Sequence, residues 1–157
     1  MNIKLIAIGK TDDSNLQQLI DRYLKRLSHY VKFELELIPD LKNAKHLSEA
    51  EQKEKEGELL LNKLQPTDVL WLLDENGKSF SSLGLADEFQ KKMNAGTKTW
   101  VFFIGGPYGF SPAVYAKANG KLALSQLTFS HQMVRLFFIE QVYRAFTILK
   151  NEPYHHQ

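Results

Sequence analysis

The C-terminal part of the chain holds the residues whose chemistry most suggests a reaction. Tyr154 and His155 stand side by side near the chain end. Both side chains can stack on a base and hydrogen-bond to it, which suits a nucleotide of an RNA loop, whereas a frayed terminus is the ordinary alternative. Adjacent histidines also occur in metal sites, but His155 and His156 lack the H-E-x-x-H or carboxylate spacing of such sites. We therefore expect no metal.

An arginine on an otherwise apolar helix face is the second unusual feature. Gln132–Lys150 is predicted to be the longest and most apolar helix, and Arg135 lies opposite its polar side, which carries Glu140 and Arg144. A lone arginine in apolar surroundings is costly unless it is paired. Arg135 is therefore expected either to form an internal ion pair or to belong to a site or subunit interface. Apolar residues nearly encircle the helix, which favours packing on a partner and a homodimer.

Two loops that follow predicted strands have the composition of ligand-binding loops. Residues 105–110, GGPYGF, let the backbone approach a ligand closely, although a tight turn explains the glycines equally well. Residues 124–131, LSQLTFSH, suit a flat heteroaromatic ligand held by main-chain contacts, although a plain connection is the simpler interpretation. His131 is equally compatible with a structural hydrogen bond and with a site. The fingerprints G-x-G-x-x-G and G-x-x-x-x-G-K-[ST] do not occur, which disfavours dinucleotide and P-loop folds.

Strands and helices alternate along the chain. The predicted strands are Asn2–Gly9, Val31–Ile38, Asp68–Leu73, Thr99–Ile104 and Lys121–Ser125. The predicted helices are Asn15–Leu27 with Ser14 as its cap, Ser48–Leu64, Ser82–Met93, one that opens at Ser111-Pro112, and Gln132–Lys150. An Asp-Glu-Asn-Gly turn is expected directly after Leu73. The charges of Ser48–Leu64 are expected to face solvent, with ion pairs from Glu49 to Lys53 and from Glu51 to Lys55.

This pattern predicts an α/β fold. The runs VLWLL and WVFFI are apolar on both faces, which is typical of a mostly parallel sheet, here of five to six strands, with helices on both faces. Ligands bind such sheets at the carboxyl ends of the strands. We therefore expect the site in the loops that follow Leu73, Ile104 and Leu124.

Length and composition narrow the class of protein. The 157 residues predict one domain, and 43% apolar with 24% charged residues is ordinary globular composition. The absence of cysteine excludes a disulfide scaffold and a thiolate site. No run is long enough for a membrane span, and the N-terminus is unlike a signal peptide, so we expect a cytoplasmic protein. The net charge of +2 argues against a protein that binds nucleic acid by charge alone. Residues 105–157 nevertheless carry 5 basic and 2 acidic residues, so a polyanion would be expected to approach there.

Several stretches together resemble one known family. They are FFIGGPYGFSP, LALSQLTFSHQMVRLFFIEQVYRAF, NEPYHH, MNIKLIAIGK, the KEGE around Gly57 and the LDENGK around Asp74. In order and spacing they resemble the RlmH family, small methyltransferases of the SPOUT class that act on 23S ribosomal RNA. The resemblance extends from Met1 to His156.

The resemblance implies a fold and an activity that the residue patterns do not give. The C-terminal part would form a trefoil knot, and the protein would be a homodimer with the knotted region and last helix at its interface. The cofactor would be S-adenosylmethionine. The reaction would methylate N3 of a pseudouridine in 23S rRNA on the assembled ribosome.

The resemblance also assigns residues to the site. The implied cofactor contacts are Leu73, Gly105, Leu124, Ser125, Gln126, Leu127, Thr128 and Phe129. Positions on the implied substrate side are His131, Arg135, Arg144, Tyr154 and His155. We expect Arg144 and His155 to activate the substrate, Tyr154 to stack on or orient the base, and His131 and Arg135 to organise the knot. Ser130 replaces the proline of many members, and the final His156-Gln157 lacks a basic residue that some members carry.

Three alternatives remain open from the sequence. One is a non-catalytic ribosome-associated binding protein on the same fold, which would need no cofactor. Another is a small-molecule dehydrogenase or transferase with a nucleotide cofactor. The third is a SPOUT methyltransferase with another RNA target, such as tRNA.

Overall fold

A computed structural model describes residues 1–156 of the chain. The strands are β1 (Asn2–Ile8), β2 (Lys32–Ile38), β3 (Val69–Ser79), β4 (Thr99–Ile104) and β5 (Gly120–Ala123). The helices are α1 (Ser14–Leu27), α2 (Glu49–Leu61), α3 (Ser82–Asn94), α4 (Pro112–Lys117) and α5 (Met133–Leu149), and a short 3-10 turn spans Ala44–His46.

The five strands form one sheet in the order β2-β1-β4-β3-β5, and every neighbouring pair is parallel. The predicted α/β class and parallel sheet are therefore confirmed. Parallel strands that are covered on both faces need apolar side chains on both faces. In β4 the entire run WVFFI, from Trp100 to Ile104, is buried.

Two apolar clusters lie on the two faces of the sheet. Trp100 and Phe102 of β4 belong to the larger cluster, together with Phe138 of α5. The alternate β4 residues Val101 and Phe103 belong to the smaller cluster, which includes residues of α2 and α4. Burying one such aromatic or branched side chain stabilises the fold by roughly 1.5–3 kcal/mol. The alternation of side chains along each strand thus fixes which helices cover which face.

Helix starts follow from capping groups. The side chain of Asp13, not of Ser14 as predicted, caps α1 by accepting from the amides of Asn15 and Leu16. Ser14 cannot act as the cap because it is already the first helical residue. The predicted Ser111-Pro112 start of α4 is confirmed.

Helix α2 differs from its prediction in length and in its ion pairs. It ends at Leu61 rather than Leu64 and begins with a capping box between Ser48 and Glu51. Glu51 accepts the Ser48 amide at 2.8 Å, a hydrogen bond that lowers the pKa of this carboxyl. Within residues 1–156, neither expected lysine pair of α2 comes within ion-pair distance.

The prediction that a turn follows Leu73 is wrong, because β3 continues to Ser79. The register shifts between Leu73 and Lys78, both of which pair with Leu122 of β5. A Cβ at Gly77 would lie 2.7 Å from the Leu122 amide nitrogen, so the strand can return to β5 only with glycine there. The irregular residues 74–77 bulge out at the carboxyl edge of the sheet.

The segment between β5 and α5 crosses that edge. It leaves the strand at one side of the sheet and reaches the end of β1, where Gln132 accepts from the Asp12 amide and donates to the Lys10 carbonyl. Helix α5 then packs between α1 and α3. The trefoil knot implied by the family resemblance stays a prediction. No helix in residues 1–156 has the length and apolar character needed to cross a membrane.

Candidate active site

A cleft of about 520 Å³ opens at the carboxyl ends of β3, β4 and β5. Its volume lies within the range of pockets that hold small molecules and cofactors. Seven of the eight predicted cofactor residues line it: Leu73, Gly105, Leu124, Ser125, Leu127, Thr128 and Phe129. Gln126 is not among the lining residues, whereas His131 is. The fold therefore brings together the loops after Leu73, Ile104 and Leu124, where the site was expected.

The glycine loop forms a tight turn on one side of the cleft. The Gly109 amide donates to the Gly106 carbonyl at 3.1 Å, and Gly109 has a φ of +81°, which favours glycine. A Cβ at Gly105 would lie 3.2 Å from the Gly109 carbonyl carbon. These close approaches leave backbone rather than side chain facing the ligand space.

The loop 124–131 forms the opposite side and is held by its hydroxyl groups. Ser125 Oγ accepts the Leu127 amide at 2.9 Å, and Thr128 Oγ1 donates to Glu75 at 2.5 Å. The amides of Gln126, Thr128 and Phe129 make no hydrogen bond to any group of residues 1–156. The loop therefore has a fixed shape and free backbone donors, the arrangement expected for a ligand held by main-chain contacts.

Asp74 and Glu75 tie the loops together, a role that the sequence analysis missed. The Tyr115 hydroxyl donates to Asp74 at 2.6 Å. Burial and this neighbouring carboxylate raise the pKa of Tyr115 to about 12. The available signal was position, because both acids directly follow the buried run of β3 at the edge where ligands bind.

Glu56 was also missed, because the charges of α2 were expected to face solvent. It is only 4% exposed and packs behind the glycine turn. Burial raises the pKa of its carboxyl above the ordinary value. A sequence signal existed in the neighbouring Gly57, since a glycine inside a helix often marks a close approach. A Cβ there would lie 2.5 Å from Ser111 Oγ.

Arg135 is fully buried, but it forms no ion pair with a carboxylate of residues 1–156. Its guanidinium donates instead to the His131 carbonyl, to Thr11 Oγ1 and to the Ile8 carbonyl, at 3.0, 3.1 and 2.9 Å. Burial lowers the pKa of this guanidinium. Arg135 thus joins α5 and the loop before it to the end of β1. This placement agrees with an organising role, while its predicted substrate contact stays a prediction.

The predicted catalytic residues form a second group, which we call the tail cluster: Glu140, Arg144, Tyr154 and His155. Arg144 and Tyr154 both donate to Glu140 Oε1, at 2.6 and 2.8 Å. The Arg144 guanidinium lies 4.8 Å from the centre of the Tyr154 ring and 3.4 Å from His155 Nδ1. Burial is the largest cause of a strongly raised pKa at Tyr154. Glu140 was assigned no role from the sequence.

Contacts with the N-terminal half hold the tail in place. Tyr23 of α1 lies 3.2 Å from Tyr154, hydroxyl to hydroxyl, and Tyr30 donates to Glu152. These contacts, and that of His155 with Arg144, argue against a frayed terminus as far as His155. Gln157 lies outside the described residues.

The tail cluster and the cleft do not meet within one chain. Val134 at the start of α5 lines the cleft, and Arg144 lies ten residues further along the same helix. At 1.5 Å per residue this separation is about 15 Å. The predicted cofactor residues and the predicted catalytic residues therefore occupy two regions of the surface.

Comparison with known proteins identifies relatives over the whole chain. The family described as "Predicted SPOUT methyltransferase" matches residues 1–155. Proteins named ribosomal RNA large subunit methyltransferase H from Flavobacterium johnsoniae and Flavobacterium psychrophilum are each 73% identical over 100% of both chains. The protein of that name from Christiangramia forsetii is 62% identical over the same span.

Among solved structures, the SpoU methyltransferase AviRb from Streptomyces viridochromogenes, solved with AdoMet, is a distant likeness. It is 12% identical, covers 91% of this chain and 57% of its own, and has a TM-score of 0.44, too low to bear on the site. The match over residues 1–155 and the full-length relatives are decisive by themselves. The chain belongs to the SPOUT methyltransferases and, within them, to the RlmH family.

Proposed function

We propose that this protein transfers a methyl group from S-adenosylmethionine to N3 of a pseudouridine in 23S rRNA of the assembled ribosome. S-adenosylmethionine is the cofactor of its family. The observation that carries the proposal is the gathering of seven predicted cofactor residues around one cleft, in a chain whose full-length relatives are named large subunit rRNA methyltransferases.

The cleft fits the cofactor in size and chemistry. Its inner wall is apolar, from Leu73, Ile104 and Leu122, and suits a heteroaromatic base. The free amides of the loop 124–129 can hold the polar edge of that base. When bound, the cofactor supplies an activated methyl group, and the glycine turn lets the backbone approach it closely.

The chemical task left to the protein is to align the base and remove the N3 proton. Alignment alone supplies much of the rate of a two-substrate reaction. Tyr154 stacks on the base and orients it, Arg144 stabilises the negative charge that forms on the ring, and His155 or a positioned water takes the proton. The contact of Arg144 with both other residues supports this division of roles.

A homodimer would unite the two regions. Leu127 in the loop before α5, and Met133 and Phe137 on its first turns, are large apolar side chains that are 74%, 40% and 38% exposed. A second copy seated on this surface would cover them and could place its tail cluster beside the cleft. We therefore propose that each active site takes its cleft from one subunit and its tail cluster from the partner.

Mixing two inactive variants tests the shared site. Gly105→Val should close the cleft, because a side chain there meets the Gly109 backbone, and Arg144→Ala should disable the tail cluster. If subunits exchange in the mixture, mixed dimers contain one intact site and activity should return. A mixture that remains inactive despite confirmed exchange would contradict the shared site.

The near-neutral charge of +2 favours a substrate recognised by shape rather than by long-range attraction. Assembled ribosomes that lack the modification should therefore be methylated well and isolated rRNA poorly, and equal rates would contradict this. Mapping the methylated nucleotide separates the 23S target from other RNAs. We also propose one domain over residues 1–157, since both apolar clusters share one sheet, and a cytoplasmic location.

A further inference from the structure

One buried charge has no role in the mechanism above. Glu56 of α2 is 4% exposed, and its Oε1 accepts from Gln52 Nε2 at 3.0 Å. Its other oxygen, Oε2, is buried without a hydrogen-bond partner among residues 1–156. A buried carboxylate that is only partly paired costs folding free energy. The guanidinium of Arg135, by contrast, donates through all three of its nitrogens.

The unpaired oxygen faces the glycine turn of the cleft. A Cβ built on Gly106 would lie 2.2 Å from Glu56 Oε2 and 2.9 Å from Oε1. The carboxyl group therefore packs directly against the Gly106 backbone, and Gly106 in turn lines the cleft. The Gly106 backbone therefore lies between the carboxyl group and the ligand space.

Other acids near the cleft are already engaged. Asp74 accepts from Tyr115, and Glu75 accepts from Thr128. Burial has the largest effect on the pKa of Glu56 and raises it, whereas the hydrogen bond from Gln52 lowers it. The charges of Asp40 and His131 have smaller effects, raising and lowering the pKa respectively. Glu56 is thus an acid beside the cleft whose Oε2 has no hydrogen-bond partner among residues 1–156 and is open to interaction with a positive charge.

We propose that Glu56 is the counter-charge by which the cleft prefers the methyl donor to the spent product. The proposal rests on the proposed function. S-adenosylmethionine carries a sulfonium, and S-adenosylhomocysteine carries a neutral thioether in its place. A carboxylate in a wall of low dielectric attracts the sulfonium more strongly than water does and finds no such charge on the thioether.

The preference would end with the reaction. As the bond from sulfur to the methyl carbon breaks and the bond from N3 to that carbon forms, the electron pair of the broken bond stays on sulfur. The N3 proton leaves to His155 or water, and sulfur loses its positive charge. The attraction from Glu56 is lost in the same step, which promotes release of the product.

Calorimetric titration of the full chain at pH 8 tests this role. Glu56→Gln keeps the shape of the side chain and removes its charge, and Glu58→Gln, an exposed position on the same helix, is the matched control. We expect Glu56→Gln to weaken S-adenosylmethionine binding about tenfold, or 1.4 kcal/mol, and S-adenosylhomocysteine binding less than about twofold. An analogue with an ammonium in place of the sulfonium should behave like the donor.

The outcomes separate this proposal from the proposed function. If wild type binds both ligands and Glu56→Gln leaves their affinity ratio unchanged, the counter-charge role is wrong and the function stands. Equal weakening of both ligands would also overturn it, because Glu56 would then only shape the turn. If wild type binds neither ligand, the proposed cofactor use fails, and this role fails with it.

Discussion

The cleft and the tail cluster are built in opposite ways. The cleft combines glycine backbone and apolar side chains at three strand ends with the acids Asp74 and Glu75, and it forms within one chain. The tail cluster is a network of four polar side chains on α5 and the segment after it. A region made of backbone suits a cofactor that is the same in every turnover. A region of charged side chains suits the substrate, where charge changes during the reaction.

Substitutions in the tail cluster should lower turnover strongly without changing cofactor affinity, which is the largest expected difference between the two regions. Arg144→Ala and His155→Ala should each lower turnover by about 10²- to 10⁴-fold, because they remove groups that stabilise or accept charge in the transition state. Both should leave the affinity for S-adenosylmethionine within about twofold. Lys150→Ala, an exposed change next to the same helix, is the control. Near-normal turnover in either variant would show that the tail cluster is not catalytic.

The reverse pattern is expected in the cleft. Gly106→Ala places a Cβ against the Glu56 carboxyl group, so the turn must shift, and the affinity for S-adenosylmethionine should fall about tenfold or more. For S-adenosylhomocysteine, which has no positive sulfur for Glu56 to attract, Glu56→Ala in the same chain should recover part of the loss by making room. A double-mutant cycle on binding measures the coupling. Strict additivity would mean that the two residues do not interact.

A smaller effect should reveal how the tail is held. Tyr154→Phe keeps the ring but removes the hydroxyl that contacts Glu140 and Tyr23. Docking of the tail should weaken by about 1 kcal/mol, the usual net value of such a hydrogen bond. Amide hydrogen exchange should then quicken at residues 151–156 but not in the glycine turn. Equal exchange in both proteins would remove the hydroxyl from tail docking.

The smallest effect concerns the stability of the cleft wall. Burial raises the pKa of Glu56, so the folded state favours its neutral form and loses stability as pH rises through that raised pKa. Glu56→Gln should therefore match wild type near pH 4 and exceed its melting temperature by about 2 °C at pH 8, a shift of under 1 kcal/mol. A gap that is constant with pH would mean that folding does not shift the pKa of Glu56.

The two regions also differ in how far the sequence predicts them. Strand patterns and the topology of parallel sheets were enough to place the loops after Leu73, Ile104 and Leu124 in one cleft. The burial of Glu56 was missed, because helical periodicity gives a face but not how closely α4 approaches it, and Gly57 was the one local sign of that approach. The docking of Tyr154 on Tyr23 joins residues 131 positions apart, and no local pattern encodes such a contact.

The predicted start of α1 was wrong for a local reason. Ser14 and Asp13 are both good caps, and the choice between them depends on which residue has extended backbone. The continuation of β3 past Leu73 depends on β5, which begins at Gly120, 47 residues further along the chain. The trefoil knot came from family resemblance alone, whereas the dimer and the individual site roles also rested on the residues themselves, and all of them stay predictions.

The anchoring of Arg135 has a consequence for the order of events during synthesis. Its hydrogen bond to the Ile8 carbonyl spans 127 residues, so the carboxyl end of β1 gains this partner only after almost the entire polypeptide has been translated. Contacts of such long range form slowly. A nascent chain stalled before Arg135 emerges should therefore have no ability to retain the cofactor, and this enzyme should become competent only after translation is nearly finished.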